Sequence, residues 1–389
     1  MILLLVIFII FIGMGVPHSL LGVAWPSVYE SIGVPLSSVS ILMMITSGCT
    51  VVSSICGMGI IKRLGENKIS LACMLMMAAG ILLNSFAESF LVFCITSALL
   101  GICSGFIETA LNNYVSLHYK AVYMNFLHCF YAIGIAVSPL ILALTIGGGK
   151  WRVGYMIISA VQMVIAVIVL SSLPLWKKQK EISTQCNESE FSASEKMPLS
   201  VLKNPQVIAG LVVIFATNVV EYACGSWGST YLVEAKKLSA EVAASVITVC
   251  SVGMIIGRFA GSFLAFKISC IKIVAFSSVI LLTAGSLLIF AAQEWMLYIA
   301  FFLLGFANGP VCPNMIYLIP KIVNPQYEGS VMGVQIAVGY IGVLLTPIIF
   351  GVITRFEVMN VYPFVVFAMI FAIIFSTAFF ALNKKHLKI

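Results

Sequence analysis

The stretch that decides the fold spans residues 101–139 and reads GICSGFIETALNNYVSLHYKAVYMNFLHCFYAIGIAVSP. It contains two apolar runs joined by a short polar turn, and each run is long enough to cross a bilayer as a helix. Hydrocarbon is a poor solvent for polar groups, yet this stretch holds a carboxylate, three amides and an imidazole. These groups belong to Glu108, Asn112, Asn113, Asn125 and His128.

The rest of the chain is equally apolar. Of its 389 residues, 61% are hydrophobic and 9% are charged, whereas soluble domains carry roughly 25% charged residues. The first run lacks a basic segment and a cleavage site, so we expect it to be a spanning helix rather than a signal peptide. We predict an all-α integral membrane protein with twelve spans near 2–27, 36–61, 69–88, 91–117, 122–146, 152–175, 206–233, 240–264, 271–291, 295–318, 328–353 and 360–382.

The connection between spans 6 and 7 divides the chain. It is long, polar and charged, unlike the short turns between the other spans. We therefore predict a six-helix bundle over 1–176, a cytoplasmic linker over 177–205 and a second six-helix bundle over 206–389.

Motifs repeat between spans that are six apart. An Ile-Gly-x-x-x-x-Pro pattern occurs at 133–139 in span 5 and at 341–347 in span 11. A Gly-x-x-x-Gly pattern followed by Asn and Tyr occurs at 101–114 in span 4 and at 305–317 in span 10. Such parallel repeats predict two pseudo-symmetric halves with a substrate site near the midplane.

The distribution of Lys and Arg predicts the orientation. With both termini in the cytoplasm, the inner segments hold fifteen of the 21 basic residues and the outer loops hold five. The net charge of +7 therefore reflects topology in a cell membrane and does not indicate a nucleic-acid partner. The expected partners are the lipid bilayer and a small-molecule substrate, and we expect a monomer.

Spans 4 and 5 hold the first group of candidate site residues. Glu108 lies about ten residues, roughly 15 Å, from the inner end of span 4, with Asn112 on the same face. Span 5 returns beside it and carries Asn125 and His128 on one face. If the two faces meet, these four side chains form one wall of a cavity. Hydrogen bonding between helices is the alternative role for the amides.

Span 7 holds the second group. Glu221 lies near its midpoint, where it could face Glu108 across a cavity. Gly225 and Gly228 follow on the same face and would let the helix bend or unwind. An aromatic such as Trp227 beside carboxylates suits a sugar, which has an apolar face and a hydroxylated rim; ordinary packing is the alternative.

Four further residues complete the predicted set. His18 in span 1 is either a site residue or a hydrogen-bonded helix contact. Asn308 and Gln335, in spans 10 and 11, are candidate cavity amides or structural ones. We interpret Arg258, in span 8, as part of a cytoplasmic gate that pairs with Glu328.

The sequence argues against an enzyme. It contains no catalytic set, phosphate-binding loop or Cys/His cluster with metal-ligand spacing. The 11 Cys are scattered through apolar runs and are interpreted as small hydrophobic residues. No metal or other cofactor is expected, and the driving ion would be the proton.

Over its full length the chain resembles the major facilitator superfamily. The family's signature loop, Gly-x-x-x-Asp-Arg-x-Gly-Arg-Lys, is partly present between spans 2 and 3 as MGIIKRLGENK, residues 58–68. Arg63 and Gly65 fit the pattern. Lys62 stands in place of the acid that forms the family's usual cytoplasmic charge clamp.

Two segments more closely resemble the fucose permease-type sugar–proton symporters. Residues 108–112 match a Glu-Thr-Ala-x-Asn pattern in span 4, and residues 125–134 largely match the Asn-Leu-x-x-x-Phe-x-x-x-Gly pattern of span 5. The resemblance implies that Glu108 serves as a proton and sugar site, and that Asn112, Asn125 and Glu221 contact sugar. Fucose permease also has an acid in span 1, where this chain offers only His18, Leu21 or Gly22.

These observations predict alternating-access transport of a small polar solute, foremost a sugar. A carboxyl buried in low dielectric favours its neutral form, so Glu108, alone or with Glu221, could load and release a proton. A drug or metabolite efflux antiporter is the main alternative. Residues 134–139 partly match the antiporter motif Gly-x-x-x-Gly-Pro-x-x-Gly-Gly, with Ser138 in place of one glycine and without the closing glycine pair. A non-transporting sensor would need a larger cytoplasmic domain.

Overall fold

A computed structural model describes residues 2–35, 37–146, 150–186, 197–356 and 358–383. Throughout these residues the ordered elements are helical and no β-strand occurs. Twelve helical segments of the described chain are long and apolar enough to cross a membrane. The predicted all-α fold with twelve spans is therefore confirmed.

The first six spans are single helices. Backbone N–H and C=O groups have no water to bond in hydrocarbon, so an unbroken helix satisfies them within the segment. The helices are Ile2–Ile32, Ser38–Leu64, Glu66–Ser85, Phe90–His118, Ala121–Ile146 and Trp151–Cys186.

The last six spans include two interrupted helices. After a short helix at Leu199–Leu202, span 7 consists of Pro205–Tyr222, a π-helical turn at Ala223–Trp227 and Gly228–Glu234. Spans 8 and 9 are Ala240–Leu264 and Cys270–Phe290. Span 10 combines Glu294–Asn308, Val311–Leu318 and a 3₁₀ turn at Ile319–Ile322, and span 11 joins a 3₁₀ turn at Pro325–Tyr327 to Glu328–Arg355. Span 12 follows a 3₁₀ turn at Met359–Val361 as Tyr362–Leu382.

The connection between spans 6 and 7 is helical where it begins. The helix of span 6 runs on to Cys186, about ten residues into the segment predicted as a linker. Residues 187–196 of that segment lie outside the described residues. The domain boundaries at 176 and 206 stay predictions.

The chain divides into two compact units. One comprises Met1–Tyr114 with Leu127–Lys196, and the other comprises Val115–Phe126 with Met197–Ile389. The turn between spans 4 and 5 therefore belongs to the second unit, together with the first residues of span 5.

The repeated Ile-Gly-x-x-x-x-Pro pattern has the same packing role in each unit. In the first unit, a Cβ at Gly134 would overlap the carbonyl oxygen of Ile12 in span 1. In the second, a Cβ at Gly342 would lie 2.9 Å from the carbonyl oxygen of Phe215 in span 7. Each glycine thus lets its helix approach the backbone of the first helix of its half.

The Gly-x-x-x-Gly pattern repeats in the same way. A Cβ at Gly101 in span 4 would overlap the carbonyl oxygen of Thr46 in span 2. A Cβ at Gly305 in span 10 would overlap that of Cys250 in span 8. Each glycine lets its helix pass close to the helix two spans earlier. The same packing in both units is expected of duplicated halves.

Candidate functional site

In the first unit, span 4 places a carboxyl and an amide in the interior. Glu108 is 8% exposed and Asn112 is fully buried. The Asn112 Nδ2 donates to the backbone carbonyl of Glu108 at 2.9 Å, one helical turn earlier. The Asn112 Oδ1 is buried and has no hydrogen-bond partner. Because a buried acceptor without a partner is costly, this oxygen is suited to accept from a ligand or a water.

The two histidines of the first unit lie along the contact between spans 1 and 5. The His18 Nδ1 is 3.0 Å from the Tyr131 hydroxyl, and the two rings meet edge to face. His128 meets the ring of Phe11 edge to face at 6.0 Å. His18 is exposed and His128 is half-buried. His18 therefore makes the helix contact that the sequence offered as one alternative, and its role as a site residue stays a prediction.

Asn125 lies in the second unit, where it is bonded to an amide that sequence reasoning used only as a repeat marker. Its Nδ2 donates to the Oδ1 of Asn314 at 3.3 Å, and the Nδ2 of Asn314 donates back to its Oδ1 at 3.0 Å. Both side chains are fully buried. The predicted wall of Glu108, Asn112, Asn125 and His128 combines residues of both units and stays a prediction.

The second unit contains an ion pair within its spans. The Arg258 Nη2 of span 8 lies 3.1 Å and 3.3 Å from the two carboxylate oxygens of Glu221 in span 7. The side chain of Arg258 is 7% exposed and that of Glu221 is 29% exposed. A buried charge requires a counter-charge, and here the two neutralise each other.

The predicted pairing of Arg258 with Glu328 is therefore wrong. Glu328 is instead paired with Lys321, at 3.2 Å, in the turn between spans 10 and 11. The physical reason is reach: the long arginine side chain meets the acid of the adjacent span 7. The lysine seven residues before Glu328 neutralises that carboxylate locally.

The backbone of span 7 departs from α-helical geometry two residues after Glu221. The π-helical turn at Ala223–Trp227 includes Gly225, as the glycine pattern predicted. Such turns are frequent at functional sites. Trp227 is half-buried and stacks on Phe350 of span 11 at 5.9 Å, so one face of its indole serves packing.

The two predicted cavity amides of the second unit differ. Asn308 accepts from the Thr217 hydroxyl at 2.6 Å and donates to the Thr217 carbonyl at 3.1 Å, which joins spans 7 and 10. Thr217 was missed because an isolated Thr in an apolar run carries no sequence signal. Gln335 is fully buried, and neither its Nε2 nor its Oε1 has a partner. Gln335 thus resembles Asn112 in having unsatisfied polar atoms that a ligand or water could bond.

The described residues contain no group of three His, Cys or Glu side chains that could hold a metal ion. The ten cysteines whose side chains are described are all free thiols.

A protein with twelve spans, two carboxyls, an arginine and unsatisfied amides inside them has the construction of a membrane transporter. The sequence matches the Major Facilitator Superfamily over residues 3–347 and 271–388. The chain belongs to this superfamily, and it is a transporter rather than an enzyme.

Its relatives are distant. The chain is 21% identical to the benzoate transport protein of Acinetobacter baylyi, over 83% of this chain and 75% of that protein. It is 23% identical to the hexuronate transporter of Bacillus subtilis, over 51% and 53% respectively. The crystal structure of FucP, the E. coli fucose:proton symporter, in its outward conformation superposes with a TM-score of 0.76 at 17% identity, over 98% of this chain and 99% of FucP. At that identity the match shows the shared fold alone.

Proposed function

We propose that this transporter moves a small polar solute of sugar size together with protons, by alternating access. The observation that carries the proposal is the Glu108 carboxyl, which lies inside span 4 and is only 8% exposed. One helical turn later, Asn112 has a buried amide oxygen without a hydrogen-bond partner. A carboxyl there can exchange a proton, and the amide can bond a hydroxyl. The named functions of the relatives, transport of fucose, a hexuronate and benzoate, support a small polar or acidic solute.

Glu108 is the proposed proton carrier. Low dielectric favours the neutral carboxylic acid. Glu108 takes up its proton from the outside, where the gradient makes protons more concentrated, and keeps it while the site is closed. Hydration from the cytoplasmic side favours the carboxylate and release of the proton. Asn112 and Gln335, which each have buried polar atoms without partners, are the proposed contacts to solute. Asn125, His128, His18, Trp227 and Asn308 stay predicted contacts.

The proposed setting is the cell membrane, with both termini in the cytoplasm, as the positive-inside rule favours. The proposed working form is a monomer without a cofactor, driven by the proton gradient. One chain contains both halves of the pseudo-symmetric fold, so a second copy is not needed to complete it.

Uptake into proteoliposomes with an imposed inward proton gradient tests the proposal. The probes are L-fucose, D-glucose and D-glucuronate. We expect the wild type to accumulate at least one of them. Glu108→Gln should lose accumulation while retaining solute exchange, because the amide keeps the shape but cannot take up or release a proton near neutral pH. The matched control is Glu88→Gln, the same change at an exposed loop position, which should accumulate normally.

Normal accumulation by Glu108→Gln would contradict the assignment. Proton entry coupled to solute exit from loaded vesicles would instead favour the efflux antiporter.

A further inference from the structure

The Glu221–Arg258 ion pair is arranged unevenly. Both carboxylate oxygens of Glu221 accept hydrogen bonds from the same guanidinium nitrogen, Nη2 of Arg258. The Arg258 Nε is buried and has no hydrogen-bond partner. A guanidinium has five N–H donors in a planar fork suited to bidentate binding of a carboxylate. In this pair, part of that fork is unused.

The two partners also differ in exposure and support. Arg258 is 7% exposed, whereas Glu221 is 29% exposed. Span 10 packs against the arginine stem, since a Cβ at Gly309 would lie 3.2 Å from Arg258 Cγ. Glu221 lies two residues before the start of the π-helical turn. The arginine is therefore the fixed partner, and the carboxylate is the one that an incoming group can replace.

Protonation of Glu221 would remove the counter-charge of a buried cation. A buried guanidinium without a counter-charge is strongly unfavourable. A second anion that takes the place of Glu221 restores neutrality. Proton uptake by Glu221 and binding of an anion by Arg258 are then linked, and each favours the other by the same factor.

We propose that Arg258 binds a carboxylate of the transported solute, which replaces Glu221 when Glu221 takes up a proton. The proposal rests on the function proposed above and narrows it to a solute that carries a carboxylate, a sugar acid being the sugar-sized case. One proton enters on Glu221 with one monoanion on Arg258. The exchange at this pair is therefore electroneutral, and both charges leave together when Glu221 releases its proton.

Other titratable side chains in this region need a control. The thiol of Cys250 interacts with Glu221 and with the thiol of Cys224, and the phenol of Tyr362 adjoins both thiols. Thiols and phenols are ordinarily neutral below about pH 8. Cys250→Ala should therefore leave the pH dependence of acid binding unchanged.

Equilibrium binding to purified protein in lipid nanodiscs tests the proposal. The probes are two pairs that differ in the carboxylate: D-glucuronate with D-glucose, and benzoate with benzamide. We expect the wild type at roughly pH 6 to bind at least one acid about tenfold more tightly than its neutral counterpart. Because binding of the acid takes up one proton, acid affinity should fall by up to about tenfold for each unit by which the pH rises.

Three variants separate the roles. Glu221→Gln should bind the acid as tightly at roughly pH 8 as at roughly pH 6. Arg258→Lys keeps the charge but loses the fork, so it should retain a reduced preference for the acid. The double variant, which combines Glu221→Gln and Arg258→Gln, removes both charges together. It should bind the acid and the neutral probe equally. The double variant also covers the case in which a single change at Arg258 prevents folding.

Several results would overturn the proposal: wild type that binds neither acid, wild type without preference for an acid, acid affinity independent of pH, or a double variant that keeps the preference. Proton-driven accumulation of a hexose without preference for an acid would overturn this proposal and leave the proposed function standing. Acid binding of the expected pattern without any proton-driven accumulation would overturn the proposed function and leave the proposed role of Arg258 standing.

Discussion

The two carboxyl groups inside the spans have different surroundings. Glu221 in the second unit is 29% exposed and pairs with Arg258. Glu108 in the first unit is 8% exposed. The Asn112 amide donates a hydrogen bond to the backbone carbonyl of Glu108. Both positions place an acid in a low-dielectric region. The Glu221 carboxylate has an arginine counter-charge.

This difference teaches that a membrane interior can hold an acid in two ways. A carboxyl can stay neutral by keeping a proton, or it can stay ionised beside a cation. The first arrangement responds to protons alone. The second responds to protons and to any anion that competes for the cation. Two such sites in one chain would let it sense both members of a proton–anion pair.

The largest expected effect comes from breaking the ion pair. Glu221→Gln leaves a buried guanidinium without its counter-charge, and we expect it to lower the free energy of unfolding by about 3 kcal/mol. The estimate is at the low end of the range for buried pairs because the Glu221 side chain is 29% exposed. Denaturant titration of the purified protein measures the change.

A double-mutant cycle provides the control. Adding Arg258→Gln to Glu221→Gln should recover much of the lost stability, because the pair is then neutral on both sides. Purely additive losses would mean that the two side chains do not stabilise each other. D-Glucuronate or benzoate should stabilise Glu221→Gln more than wild type if Arg258 accepts a carboxylate.

The sequence predicted what depends on local pattern. Apolar run lengths gave the twelve spans, and the Ile-Gly-x-x-x-x-Pro repeat at 133–139 and 341–347 marked equivalent packing positions. Gly225 predicted the disturbed backbone of span 7. Each of these features is encoded within a single helix, so a residue count along the chain is enough to find it.

Pairs between helices could not be found in this way. Counting residues from the helix ends gives the depth of a Cα atom, but a long side chain such as Arg258 spreads over more than one helical turn. Rotation of each helix about its axis is also undetermined by sequence. The partners Arg258–Glu221 and Asn125–Asn314 were therefore missed, although three of these four residues were on the predicted list.

An intermediate effect should separate the two kinds of amide. Asn125 and Asn314 satisfy each other, so Asn125→Ala leaves a buried amide without its partner and should cost about 1–2 kcal/mol of stability. Asn112 has an unsatisfied Oδ1, so Asn112→Leu, which keeps the branched shape of the side chain, should cost less. Asn112→Leu should instead weaken binding of the solute. Thermal unfolding and equilibrium binding of both variants measure the contrast.

The reverse pattern would exchange the two assignments. If Asn112→Leu proved the more destabilising change and Asn125→Ala the more damaging to binding, Asn125 would be the ligand contact. Asn314→Ala is the matched control, because it breaks the same amide pair from the other side and should cost about as much as Asn125→Ala.

The smallest expected effect is the change in stability caused by substitution of the other acid, Glu108. If Glu108 holds a proton in the resting protein, Glu108→Gln replaces one neutral planar group by another of nearly equal size. The free energy of unfolding should then change by less than about 1 kcal/mol, although proton-driven accumulation is lost. The stability difference from wild type should also stay constant as the pH is varied across neutrality. A loss as large as that of Glu221→Gln, or a difference that grows with pH, would mean that Glu108 is ionised and paired with a cation, and the contrast between the two units would disappear.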